Sequence, residues 1–587
     1  MSKSAIRFSL LLSFALTGML SGNTWAQSGE DQKREGQEHR KTVYESATVL
    51  KAVSRLVVVD VVVTDKKGQP LTGLKAKDFT VQEDEVAQSI RFFSFQGGNN
   101  NSGSGPAPET PRKLPANVFT NVPDYKPGSA MNVILLDALN SNLANQVAMR
   151  EQLIKFIAAI PTDRPTAIYA LGNKLWLLQD FTTDPKTLQA VIRNYKGSIS
   201  NLLENPTGAP PSDPLGMRFM PANIRERMKQ FLKETIAAQT ELRVNLTMEA
   251  LTALARTLAA YPGRKNLIWL SEAFPLTIEP EMSRMNTRTI HTGNIERNFG
   301  LQLTKVADAL MNTQIALYPI DIRGITSSDV FGPNMGVNNY GESMLLPEGM
   351  QREMREFGDE LQANHSTMGE LAERTGGKAF YNTNDFGKAV RSSMDDGSTY
   401  YTLSYYPSDK NWNGKFRKIS VRLNSSDARL RYRLGYFAMD PSTYQDRSAP
   451  MRAQDFGQTL NLDYPVSTAL MFRAGVLPPS EKTQNKVVVN YLVDAHAVSF
   501  QKEDDGLQHA TLSGAVQVYT EKGEPLKTEA TNITIALTPE NFRQVMDKNL
   551  PFQMSFDLAP GKYVLRLGIR DDRTGLIGSA NANVTVN

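Results

Sequence analysis

The chain contains no cysteine and only five histidines. Without cysteine there are no disulfides, no thiol nucleophiles, no thiolate metal sites and no lipid-modified cysteine behind a leader. His39, His291, His365, His496 and His509 are scattered, with neither an HExxH pair nor any other zinc-ligand spacing. Charge of one sign is also scarce: the net charge is +4 over 587 residues, with no long basic run and no basic stripe interleaved with aromatics. A nucleic-acid partner is therefore not expected. Long hydrophobic runs are missing as well. The longest, Phe8 to Leu20, is interrupted by Ser13, Thr17 and Gly18 and falls short of the roughly 20 residues that span a bilayer. Finally, there is no GxSxG elbow, no GxxxxGK[ST] phosphate loop and no GxGxxG after a strand, so a non-enzymatic role is expected.

What is present reads as an exported chain of several units. Lys3 and Arg7 precede the apolar stretch, and small and polar residues follow it to Ala26. This is the pattern of a secretory signal peptide cleaved after Ala26, giving a mature chain without a transmembrane span, either periplasmic or extracellular. At 40% hydrophobic and 21% charged residues the chain is globular in composition, and its length implies about three or four folding units.

The pattern along the chain divides it further. Residues 1–26 form the leader and 27–46 a polar tail. The segment 47–96 is a β segment, opened by the Val-rich LVVVDVVVT at Leu56 to Thr64. Residues 97–130, containing GGNNNSGSGPAPETP, read as a Pro/Gly/Asn-rich linker. From 131 to 398 apolar strands (MNVILLD, TAIYAL, NLIWLS, QIALYPID) alternate with helical spacing, which implies an α/β domain with a doubly wound, Rossmann-type parallel sheet. A second β segment, 399–440, is expected to pair with 47–96. A linker at 441–453 then leads to a C-terminal β-sandwich at 454–587. The echo of KGQPL at Lys67 to Leu71 in KGEPL at Lys522 to Leu526 is explained at least as well by shared turn chemistry as by duplication.

In an open parallel sheet, ligands bind beyond the carboxyl ends of the strands where strand order reverses. The first strand of the α/β domain ends there in LLDALNS, Leu135 to Ser141. Asp137, Leu139 and Ser141 alternate, and a carboxylate and a hydroxyl near a helix amino terminus suit a hard cation such as Mg²⁺. Asn140 fits a turn residue or a helix cap. The ion-free alternative is that Asp137 caps the next helix and orders the loop.

This spacing resembles the DxSxS metal-adhesion loop of von Willebrand factor type A domains. PGRKNLIWLS, TGGKAFYNTND and YYTLSYYP…GKFRKISVRL…RYRLGYFA, together with LVVVDVVVTDKKGQPLTGLKAKDFTVQEDE, resemble the exported VWFA-related domain proteins known largely from Acidobacteria, over roughly Val53 to Ala438. The resemblance implies a central von Willebrand A-like domain flanked by sandwich-like β segments, and a protein-binding or adhesion role. Residue by residue, Asp137 matches the first acidic position of the loop and Ser141 its last hydroxyl. Leu139 stands in place of the middle serine, Thr247 is the candidate second-loop threonine, and Glu272-Ala273 replaces the usual Asp-Gly. The implied metal set is Asp137, Ser141 and Thr247 around Mg²⁺ or Mn²⁺, and the implied binding face is Asp137, Asn140, Ser141 and Glu272. The partner is an unidentified protein. A metal-independent envelope scaffold or assembly component is the alternative.

Three further motifs have bland readings. Gly376-Gly377 reads as a helix stop leading into a short strand. The tyrosines of STYYTLSYYP are expected to alternate, half packing inward and the rest available to a partner. Glu83-Asp84-Glu85 reads as a solvated hairpin turn that could attract Ca²⁺.

Overall fold

Residues 56–97, 114–123, 130–158, 160, 164–203, 220–272, 277–278, 297–298, 300–324, 347–383, 385–424, 428–439 and 448–587 are described in this computed structural model. The leader and the polar tail lie outside the described residues. Among the described residues no helix is long and apolar enough to cross a membrane.

The central sheet is built from apolar runs buried on both faces. Its strands are β1 (Met131–Asp137), β2 (Thr166–Leu171), β3 (Leu175–Thr182), β4 (Lys265–Ser271) and β5 (Ile315–Asp321). They lie in the order β3-β2-β1-β4-β5. All neighbours are parallel except β3, which runs antiparallel to β2. A parallel bridge from Ile320 to Phe380 stands at the next position. The short strand expected at Lys378 to Tyr381 is thus reduced to a single bridge.

Helices cover both faces: α1 (Leu143–Ile157), α2 (Pro185–Asn194), α3 (Ala222–Thr257), α4 (Gly300–Asn312), α5 (Pro347–Thr375) and α6 (Phe386–Asp396). Side chains alternate across a strand. Val133 and Leu135 of β1 therefore join the cluster containing Leu251 and Leu254 of α3 and Leu310 of α4. Ile134 and Leu136 join Leu153 of α1, Ile192 of α2 and Val390 of α6 on the other face. This double burial is why β1 has no polar interruption before Asp137, apart from Asn132, whose side-chain oxygen accepts from the Asn266 amide. The chain reverses direction across the sheet between β1 and β4, so the switch-point crevice opens where those strands end.

Val57–Thr64 pairs antiparallel with Tyr400–Tyr405, which also pairs with Phe92–Gln96. Phe416–Leu423 pairs with Phe79–Glu83. Val59, Val61, Val81, Leu403, Ile419 and Val421 share one apolar cluster, so strands from either side of the α/β unit build one core. The same strands contact the central sheet through polar links. Tyr400 accepts from the Arg264 backbone N–H at 3.0 Å, and the Gln314 amide donates to Asp60. Tyr400, Tyr401 and Tyr405 are all buried, correcting the expected alternation, because the strand is covered on both sides. Tyr406 alone of this run is well exposed.

The strands after residue 470 form a pair of sheets over a common core that includes Phe472, Val489, Leu512, Val516 and Leu567. Here the expected linkers need correction. Val118–Thr120, inside 97–130, pairs with Phe472–Leu477. Next to it the Asn121 amide donates to the carbonyls of Ser467 and Leu470, both at 2.9 Å, and its oxygen accepts from Phe472 N–H. A three-residue strand whose partners lie some 350 residues away leaves no periodic trace in a polar, proline-rich stretch. The linker 441–453 likewise overlaps a helix, Ala449–Thr459, which buries Phe456 against Ala515 and Ile577.

The KGQPL and KGEPL echo is a shared turn. Asp65 N–H donates to Gln69 and Gly68 N–H to Asp65, and Thr520, Glu524 and Gly523 repeat both bonds, with Gly68 and Gly523 at φ of +83° and +84°.

Candidate functional site

Asp137 ends β1 at the switch point and is 1% exposed. Its Oδ1 accepts from the Asn140 backbone N–H at 2.9 Å. Its Oδ2 accepts from Asn140 Nδ2 at 3.0 Å, Trp269 Nε1 at 2.9 Å and Ser271 Oγ at 2.8 Å. Burial pushes its carboxyl pKa up, while the bonds from Asn140, Ser271 and Trp269 pull it back.

The loop after it folds back because Ala138 N–H and Leu139 N–H both donate to the Leu171 carbonyl of β2. Leu139 is driven into the core beside α3 and α4. Asp137, Leu139 and Ser141 therefore do not share one outward face, and the expected alternation fails at the apolar residue. Ser141 is fully buried, and its Oγ accepts from Glu272 N–H at 3.0 Å. The cap of α1 is Asn142, whose oxygen accepts from Asn145 N–H, so neither Asp137 nor Asn140 caps that helix. Glu272 accepts from Asn142 N–H at 2.9 Å and from its amide at 3.3 Å. Its negative charge thus stands at the positive end of α1.

Thr247 lies within α3 rather than before a helix, because α3 is continuous from Ala222 to Thr257. Its hydroxyl donates to the Arg243 carbonyl one turn back, at 2.8 Å, and accepts from Asn140 Nδ2 at 2.8 Å. The Arg243 guanidinium reaches Asn140 Oδ1 at 3.4 Å. Asp137, Asn140, Ser141, Thr247 and Glu272 are thus brought together, around a loop whose polar atoms already serve one another.

The donor set does not fit a hard cation. Mg²⁺ requires about six oxygen ligands in near-octahedral geometry. Asp137 Oδ2 accepts three hydrogen bonds and Oδ1 one, so at most one lone-pair position of the carboxylate is open to an ion. Ser141 and Thr247 hydroxyl oxygens each accept one bond, and Leu139 supplies no oxygen.

Sequence reasoning missed Trp269 and Ser271, the alternate residues of NLIWLS that reach Asp137. Their signal was a polar residue at the end of a strand whose register sets Leu270 beside Leu136. His365 and His509 are not simple surface residues. His365 Nε2 lies 3.0 Å from Asp321 at the end of β5, and its ring stacks on Tyr381 at 4.3 Å. Asp321 is also held by the Arg323 guanidinium at 2.8 Å and 3.0 Å. His509 Nε2 lies 2.8 Å from Asp505 and 3.7 Å from Glu503 on an exposed hairpin. Glu83 differs from its reading too: it points inward to Arg417, Tyr405 and Tyr436, while Asp84 and Glu85, at φ of 46° and 69°, make the exposed turn.

No family model matches the chain, and no curated protein matches it. Solved structures share parts of it at low similarity. An aerotolerance-related membrane protein from Bacteroides fragilis NCTC 9343 is 12% identical, with 45% of this chain and 98% of that chain covered and a TM-score of 0.24. The conserved hypothetical protein BatB from Bacteroides thetaiotaomicron is 13% identical over 45% and 97%, with a TM-score of 0.22. A von Willebrand factor type A protein from Catenulispora acidiphila is 7% identical over 57% and 73%, with a TM-score of 0.15.

Proposed function

We propose that the chain is an exported, non-enzymatic protein-binding or adhesion protein, with a von Willebrand A-like central unit between sandwich-like β units. It meets its partner at the rim of the switch-point loop. One observation carries this reading: at the crevice where a doubly wound sheet binds ligands, the acid is 1% exposed and accepts four hydrogen bonds. A carboxylate so enclosed lies out of reach of solvent, which supports a binding rather than a catalytic role. It shapes the loop, and the partly exposed Asn142, Leu143, Asn145 and Glu272 with the exposed Ala144 form the rim.

The test is capture from envelope extract by the native chain and by Ala144→Arg, each with Mg²⁺ or with chelator. The reading requires a partner that the native chain retains in both conditions and the rim variant loses. Equal capture by both chains sinks it.

A scaffold role using a strand edge is the second reading. It is favoured by Pro525–Leu537, a 13-residue strand that among the described residues pairs only with Gln508–Thr520. A free edge of that length can add a partner strand. Proline at Thr531 should abolish assembly under this reading and leave rim-dependent capture intact.

A further inference from the structure

We propose that the side-chain amide of Asn140 takes the place of a metal ion in this loop, so that the binding face is held together by a neutral hydrogen-bond donor. The inference deepens the binding reading, on which it rests for its function. Its geometry stands apart from any partner.

Asn140 is 1% exposed, and its Nδ2 lies 3.0 Å from Asp137 Oδ2 and 2.8 Å from Thr247 Oγ1. Those two oxygens belong to the strand-end acid and to the hydroxyl of the neighbouring helix, two of the three residues that the family resemblance implies would hold an ion. An amide carries two N–H bonds at a fixed angle and can serve two acceptors at once. The orientation of the amide is set from its other side. Oδ1 faces the guanidinium of Arg243 at 3.4 Å, so reversing the group would turn its oxygen toward the Asp137 carboxylate and its NH₂ toward a cation. The backbone N–H of the same residue also donates to Asp137, which fixes the distance between the amide and the acid.

The rest of the loop suits a neutral occupant. The negative charge of Asp137 is balanced by four donors, two from Asn140 and one each from Trp269 and Ser271. Leu139 is packed in the core beside α3 and offers the loop no oxygen. The Ser141 hydroxyl oxygen is engaged by Glu272 N–H. An ion entering here would displace the amide from both acceptors and recover too few oxygens to complete its shell.

Thermal melts of the full chain test this without a partner, so failure of the inference and failure of the binding reading are separately visible. Melts are compared in millimolar MgCl₂, in MnCl₂ and in chelator at matched ionic strength. The native chain should melt within about 1 °C in all three, since an ion that does not bind the folded state adds no stability. Asn140→Asp sets a second carboxylate against Asp137 and Thr247. It should melt at least about 5 °C lower in chelator and recover most of that loss in Mn²⁺ or Mg²⁺. Asn140→Ala should melt lower and show no recovery. Should Asn140→Asp not fold, Asn140→Ser, which supplies an oxygen without charge, carries the same test and should gain a smaller metal-dependent rise.

A native shift that persists in His509→Ala, which removes the exposed Glu503, Asp505 and His509 group from consideration, overturns the inference. So does a native chain indifferent to metal together with oxygen-bearing Asn140 variants that show no metal response, because the amide then does not stand in a cation's position.

Discussion

Replacing Asp137 by alanine removes the acceptor on which the whole loop converges. Four hydrogen bonds go: those from the Asn140 backbone and amide, from the Trp269 indole and from the Ser271 hydroxyl. The hydroxyl can rotate toward another acceptor, and the amide keeps Thr247. The Asn140 backbone N–H and the indole N–H lose this acceptor in a fully buried setting. Each buried donor so deprived costs about 1–3 kcal/mol, and the two weakened bonds add about 1 kcal/mol together. Against this, the folded chain no longer buries a carboxylate, which returns about 1–2 kcal/mol. The net expectation is a loss of about 1–6 kcal/mol, confined to the central unit.

A chain of several units does not unfold in one step. The assay is therefore urea-dependent hydrogen exchange read on peptides from β1 and β4, with the β strands after residue 470 as the internal reference. Asp137→Asn sharpens the comparison. Its amide sets a donor against donors in either orientation, so it should be at least as damaging as alanine although it is nearly isosteric. A loss below about 1 kcal/mol in Asp137→Ala, or an Asp137→Asn chain as stable as the native one, would refute the reasoning.

Lys265 is fully buried, donates to the Tyr261 carbonyl at 2.8 Å, and has its pKa lowered by burial to about 7 from 10.5, with Asp60 opposing the shift. Between those values the unfolded chain holds a proton that the folded chain does not, so stability rises with pH from about 7 to 10.5. Lys265→Met should flatten that rise and raise the urea midpoint at pH 7. Glu83→Gln removes the buried one of the two carboxylates that face Arg417, leaving Asp409 at 3.2 Å, and should cost about 1–3 kcal/mol in the β unit, measured by urea unfolding at neutral pH. Gly377→Ala would place a Cβ 2.0 Å from the Leu317 carbonyl oxygen of β5, which is backbone and cannot move aside. A loss of at least about 3 kcal/mol is expected, and normal expression with an unchanged melt would refute it. Asn121→Ala should release Val118–Thr120 from the C-terminal sheet, seen as proteolytic cleavage near residue 120 that the native chain resists.

The strands of the central sheet were legible because burial on both faces demands unbroken apolar runs, and MNVILLD, TAIYAL and NLIWLS have that form. β3 and α6 were not singled out. LWLLQDFT is exposed or half-exposed at most of its positions at the edge of the sheet, so its apolar residues follow no single period. Val118–Thr120 was hidden for a different reason: it is too short for any period and is held by the side chain of its neighbour Asn121. At the site, the position of Asp137 was visible as a polar residue ending a buried strand. Its chemistry was not, since the residues that occupy its oxygens, Trp269 and Ser271, lie 132 and 134 positions away.

The sequence by itself determined the kinds of element and their order, because hydrophobic periodicity and turn residues act over a few neighbours. It also placed the loop, since Asp137 follows directly on a buried strand. Tertiary structure decided which distant segments pair, as Val57–Thr64 does with Tyr400–Tyr405. It also decided that Leu139 faces the core and that Asn140, not an open coordination shell, joins Asp137 to Thr247. Hydrogen bonds are directional and reach about 3 Å, so whether a polar atom is free or engaged depends on partners that only the folded chain brings within that distance.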